Sequence, residues 1–224
     1  MPKEKLKKWL FWNGSLGLLH SQAPPLMIAS IINISDLNYE TPFKYASSVL
    51  SIVILVFLVV ATGFEIYVIR THKGRYHLEE FRFSYGTIME GLDSKTKAGR
   101  YWNPLNLIRW ALTIVIMVFL KENCVAQILV LLLISVIFQI LLAIENPMIE
   151  KSDRRLTWII EVRVSIYLYV LLSLTDFMGE NTVREELGWV LTILTGTIVA
   201  INILFFFWKS SWRVFAKIKK RFGY

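Results

Sequence analysis

The sequence predicts an all-α, polytopic membrane bundle of about six transmembrane helices with both termini cytosolic. Three observations carry that expectation. Val125–Ile144 is an uninterrupted run of twenty residues without a formal charge. At about 1.5 Å per residue such a run crosses a hydrocarbon core of about 30 Å. Similar runs recur along 224 residues that are 55% hydrophobic, with a mean hydropathy of +0.50. The formal net charge of +8 lies beside the apolar runs, which suits an anionic cytosolic leaflet better than nucleic acid.

The elements follow in order. Residues 1–9 form a basic cytosolic terminus, with Lys3, Lys5, Lys7 and Lys8 before Trp9 and Trp12, an interfacial anchor pattern. This end has no small-residue cleavage site and is read as retained. The first segment, 10–33, carries Pro24–Pro25 near its middle, so a kink or break is expected there. The second, 46–69, follows Pro42, a helix-start signal. The inner loop, 70–104, is the one sizeable polar piece, expected to lie on the bundle as a short amphipathic helix. The third segment, 105–120, is expected to start at Asn103–Pro104, as cap and first helical residue. Lys121–Cys124 is a tight hairpin into the fourth segment, 125–144. Asn146–Pro147 then breaks the chain before the fifth, 157–175. The sixth, 187–208, leads into a basic tail, 209–224.

This register places twenty of the 25 basic residues on the cytosolic side. Only Lys44, Lys121 and Arg184 fall outside, and Arg109 and Arg163 lie within helices. Trp9, Trp12, Trp102, Trp158, Trp208 and Trp212 fall at inner boundaries and Trp189 at an outer one, at the headgroup depth that indoles favour. The sequon Asn33–Ile34–Ser35 lies almost at the outer membrane edge.

Ionisable groups inside membrane helices are costly and mark candidate sites. Glu65, Arg109, Glu145, Glu161 and Arg163 all fall in the cytosolic third of the second to fifth segments. They form either a structural ion-pair belt with snorkelling side chains or a charged vestibule that admits cations. Polar residues at helical spacing form a second candidate, a seam of Gln127, Ser135, Gln139, Ser165, Thr192, Thr195 and Asn202. Close packing and interhelical hydrogen bonds are the first reading of that seam, and a water-filled path the second. In the tail, Arg213, Lys217 and Lys220 lie opposite Trp212, Phe215, Ile218 and Phe222, as in a helix seated on anionic lipid.

Enzymatic chemistry has no support. Gly86, Gly91 and Gly99 do not make a phosphate loop, and Asp176 lacks an intramembrane aspartate partner. The single cysteine, Cys124, excludes an intrachain disulfide, and His20, His72 and His77 form no ligand set, so neither metal nor cofactor is expected.

Several short stretches carry a resemblance. They are Phe11–Trp12–Asn13–Gly14, Tyr85–Leu92, Tyr101 followed by Arg109, Gln127, Asn146–Pro147, Glu161 and Thr175–Asp176–Phe177. Together they resemble the carboxy-terminal multipass domain of large ciliate and other protist surface proteins, grouped with transient-receptor-potential-like membrane proteins. The resemblance implies a cation channel or sensory membrane module, in a plasma or ciliary membrane, with endomembranes the alternative. The expected partners are the lipid bilayer and its anionic inner-leaflet lipids, with a homo-oligomer or a larger membrane complex as open alternatives. Asp176–Glu186 contains no apolar pore helix or filter-like run, a departure from polycystin-type channels. A non-conducting anchor or assembly subunit therefore stands as the alternative function. A small-molecule or lipid transporter rests only on the proline-interrupted first segment.

Overall fold

The computed structural model describes residues 12–35, 41–76, 78–175 and 181–222, without the side chains at 80, 82, 181–184 and 212–222. The described residues are helical with no strand, and they form α1 Gly14–Ser35, α2 Pro42–Thr71, α3 Glu79–Tyr85, a 3-10 turn Gly86–Met89, α4 Lys97–Phe119, α5 Cys124–Glu145, α6 Lys151–Ser173 and α7 Asn181–Phe222. Five helices contain windows long and apolar enough to cross a membrane: α2, α4, α5, α6 and Glu185–Ser211 within α7. Their apolar side chains face outward. Val49, Val53, Val56, Phe57 and Val60 on α2, and Leu133, Ile137, Ile140 and Ile144 on α5, are all exposed. In water such a surface would aggregate; in lipid it is already solvated. The chain is a multipass helical membrane protein.

The chain divides into two units, Met1–Trp158 and Ile159–Tyr224. Within the first, α1 packs along both α2 and α4, and α4 packs on α2 and α5. Ala23, Met27 and Ile31 of α1 form one core with Leu58 of α2 and Leu107 and Ile114 of α4. A second core gathers Leu16, Val68, Ile69, Tyr76, Phe81 and Ile88. A third joins Leu92 and Trp102 to Phe138 and Leu142 of α5. In the second unit, Glu161, Ser165 and Leu168 are buried on one face of α6. The window of α7 has none of its residues buried.

Several boundaries differ from the sequence expectation. Helix α1 runs unbroken through Pro24 and Pro25 and does not end there. Proline removes N–H donors and leaves earlier carbonyls unpaired, but packing on two helices holds the turn. This helix is not among the five membrane-crossing windows. Helix α4 starts at Lys97 rather than at 105, so Asn103–Pro104 is neither its cap nor its first turn. Thr96 is the cap: its hydroxyl accepts from the Gly99 amide at 3.0 Å, and Pro104 is buried inside the helix. Helix α2 starts at the helix-start signal Pro42 rather than at 46, with Thr41 as its cap. Helix α7 runs without interruption from the sixth segment into the basic tail as far as Phe222. Asp176 and Phe177 lie outside the described residues, and the rest of the expected 176–186 loop is helical from Asn181.

Candidate functional site

Two neighbouring features distinguish the first unit: a buried acid–base pair between α1 and α2, and a cavity in the connection between α2 and α4.

The pair is His20 and Glu65. Glu65 is fully buried, and its Oε1 lies 2.9 Å from His20 Nε2. The separation is that of an ion pair, but neither atom makes a directed hydrogen bond, and Glu65 Oε2 is buried without a hydrogen-bond partner. A buried carboxylate normally holds several donors, because losing water without replacing it costs several kcal/mol. Helix α1 adds an unusual backbone beside it. Pro24 and Pro25 have no N–H for the His20 and Ser21 carbonyls four residues earlier. Charged or open polar groups at this depth are rarely retained for stability alone.

The cavity of about 760 Å³ is built by segments far apart in sequence. Asn13 is its organising residue. Its side-chain amide donates to the Phe83 carbonyl at 2.9 Å, and its oxygen accepts from the Thr87 amide at 3.1 Å and the Thr87 hydroxyl at 3.2 Å. Beside it, Trp12 stacks on Phe64 and meets Tyr85. The Trp12–Asn13 and Tyr85–Thr87 stretches, 74 residues apart at Asn13 and Thr87, are therefore one structural joint. On the opposite wall the α5–α6 turn is clasped to the connection. The Asp93 amide donates to the Pro147 carbonyl at 2.8 Å, and the Ile149 amide to the Gly91 carbonyl at 3.1 Å. Gly91 adopts φ +75, and Asn146 takes the left-handed conformation that ends α5. Tyr76 closes the floor, its hydroxyl donating 2.8 Å to the Ile69 carbonyl near the end of α2. Burial raises the Tyr76 hydroxyl above the usual phenol range, and the nearby Arg100 guanidinium pulls it part of the way back.

Several residues of the sequence-predicted belt have an identified neighbour or a defined burial. Glu65 pairs with His20. Glu145 Oε2 accepts from the Lys97 and Ala98 amides at 3.1 and 3.3 Å, so it caps the first turn of α4. The Arg109 guanidinium lies 4.6 Å above the Phe138 ring. Glu161 is buried on α6, and Arg163 has one buried guanidinium nitrogen without a hydrogen-bond partner. Glu65 and Glu145 share no partner.

The seam residues lie along α5, α6 and α7. Gln127 donates to the Met117 carbonyl at 2.9 Å and closes the end of α4. Ser135 and Ser165 are buried, and Gln139 is half-buried. Thr192, Thr195 and Asn202 each donate to the carbonyl four residues back on α7 and are exposed. The side chains of Arg213, Lys217 and Lys220 lie outside the described set. Among the described residues no His, Cys, Asp and Glu group is arranged to hold a metal.

Sequence reasoning named His20 but missed its pairing with Glu65. The signal was a lone imidazole on an apolar helix, four residues before a proline pair. It likewise missed Asn13 as a joint, because its partners lie far along the chain. No family model, curated protein or solved structure matches this chain.

Proposed function

We propose that the chain is a transient-receptor-potential-like membrane module that conducts cations or senses a stimulus for a conducting partner. The observation supporting this reading is Glu65. It is fully buried, held by one imidazole 2.9 Å away, and retains an open acceptor oxygen. A bundle needing only to sit in lipid gains nothing from such a group, whereas a cation path needs an acceptor that is not already saturated.

In this reading α1 is the sixth span. Its 22 residues reach about 33 Å as a helix, and it packs along α2 and α4. Both termini are then cytosolic, as the distribution of twenty of 25 basic residues favours. The plasma or ciliary membrane, with anionic lipid at the inner leaflet, is the proposed location.

The purified protein in liposomes, loaded with a cation-sensitive dye, tests the reading. Cation flux above empty liposomes is expected, with Glu65→Gln reducing it at least tenfold while the protein stays folded. Equal flux from the parent and empty liposomes would remove conduction. A second reading, a non-conducting anchor or assembly subunit, is favoured by α7, whose uncovered apolar window offers a long face to another chain.

A further inference from the structure

We propose that the cavity between Asn13 and Ile149 is a binding site for an organic ammonium cation with an apolar body. The proposal rests on which hydrogen-bonding groups of its wall are already engaged. Three side-chain donors are engaged inside the protein, the Asn13 amide on Phe83, the Thr87 hydroxyl on Asn13 and the Tyr76 hydroxyl on Ile69, and the Ser94 hydroxyl is the other side-chain donor of the described wall. An anion entering the cavity meets few donors to replace its water. Acceptor capacity remains on the Thr87 oxygen and on the Glu90 carboxylate, the one formal charge among the described side chains of the wall. Arg100, which acts on the Tyr76 hydroxyl through both its charge and a side-chain hydrogen bond, is not among the residues lining the cavity.

The remaining wall is apolar. Phe81, Met89, Leu92 and Ile149 line the cavity with the Tyr76 ring, and Ile149 is 67% exposed at its rim. One carboxylate, aromatic rings and an aliphatic wall are what a quaternary or alkylated ammonium needs: charge neutralisation, a polarisable ring face and cover for its carbon substituents. A hydrated metal ion would need several oxygens converging at short range, and a single carboxylate does not provide them. About 760 Å³ is room for a drug-sized molecule or a lipid headgroup with the start of its chains. The same chemistry has two sources, a choline-type lipid headgroup or a soluble amine.

The test is calorimetric titration of benzyltrimethylammonium into the full chain in phosphatidylglycerol nanodiscs, with empty discs subtracted. Saturable binding with one site per chain is expected, with benzenesulfonate giving none. Glu90→Gln, an exposed position, should weaken the cation at least tenfold. Ile149→Trp should do the same by filling the rim; if that variant fails to fold, Glu90→Gln decides. Repetition in phosphatidylcholine discs identifies the source. A several-fold weaker apparent affinity means the lipid headgroup competes for the site, and an unchanged one means a soluble amine is the ligand. Equal binding by the parent and Glu90→Gln, or equal binding of benzenesulfonate, overturns the proposal. The site is independent of whether the chain conducts ions.

Discussion

Replacing Glu145 separates a helix cap from a conducting belt. Its carboxylate accepts from the Lys97 amide at 3.1 Å and the Ala98 amide at 3.3 Å. These are among the orphan donors of the first turn of α4, and Thr96 holds the Gly99 amide. A hydrogen bond to a charged group contributes about 1.5–3 kcal/mol. The Lys97 amide is reachable by water, whereas Ala98 is buried. Glu145→Ala should therefore cost about 2–3 kcal/mol, most of it from the stranded Ala98 donor. Glu145→Gln retains an acceptor and loses the charge facing the helix dipole, so about 1 kcal/mol is expected. For globular chains of this size the first value lowers a melting midpoint by roughly 4–12 °C. Melting in detergent micelles reads the loss, and cation flux per folded molecule should stay at the parent level in both variants. Unchanged melting together with lost flux would refute the capping role and return Glu145 to a gating belt.

The other predictions concern the same region. Gly99→Ala would set a methyl group against the Asp93 carbonyl oxygen and 2.7 Å from Thr96 Oγ1. Because the first obstacle is backbone, the expected cost is at least about 2 kcal/mol, read as lost expression or a lower melting midpoint. Asn13→Ala removes the bonds to the Phe83 carbonyl and the Thr87 amide. A loss of about 2–3 kcal/mol is expected, with protease sites opening between residues 78 and 94 before the helices are cut. Tyr76→Phe removes the bond to the Ile69 carbonyl and should cost about 1 kcal/mol at neutral pH. The parent's raised phenol adds a pH signature. Below the unfolded value of about 10 the stability is fully present, and it falls as pH rises from there through the folded value. Tyr76→Phe should flatten that alkaline limb, which a melting series from pH 8 to pH 11 would show.

The long helices were legible because lipid imposes one simple requirement, a run of apolar residues without charge. The expected 46–69 and 125–144 segments became Pro42–Thr71 and Cys124–Glu145, with Thr41 capping ahead of Pro42. The start of α4 was misread because Pro104 after Asn103 has the composition of a first turn, while the true cap, Thr96, sits in a polar stretch that carries no apolar rhythm. The ionisable residues were visible, but their partners were not. Glu145 serves a helix that begins 48 residues earlier, and Glu65 faces an imidazole on another helix. Neither spacing has a local pattern, so only tertiary packing reveals it. Asn13 shows the same limit: its type and neighbours were legible, and its three bonds across the connection were not.

The clasp between Gly91–Asp93 and Pro147–Ile149 orders events during synthesis. The first turn of α4 leaves the ribosome well before Glu145 does, so its Lys97 and Ala98 amides wait for a carboxylate not yet made. Until the α5–α6 turn has emerged, the Gly91 carbonyl and the Asp93 amide lack these partners, and the cavity wall that Ile149 completes is missing. A nascent chain arrested before residue 145 should therefore hold a frayed α4, with the connection exposed to chaperones. One arrested beyond residue 149 should already have it shut.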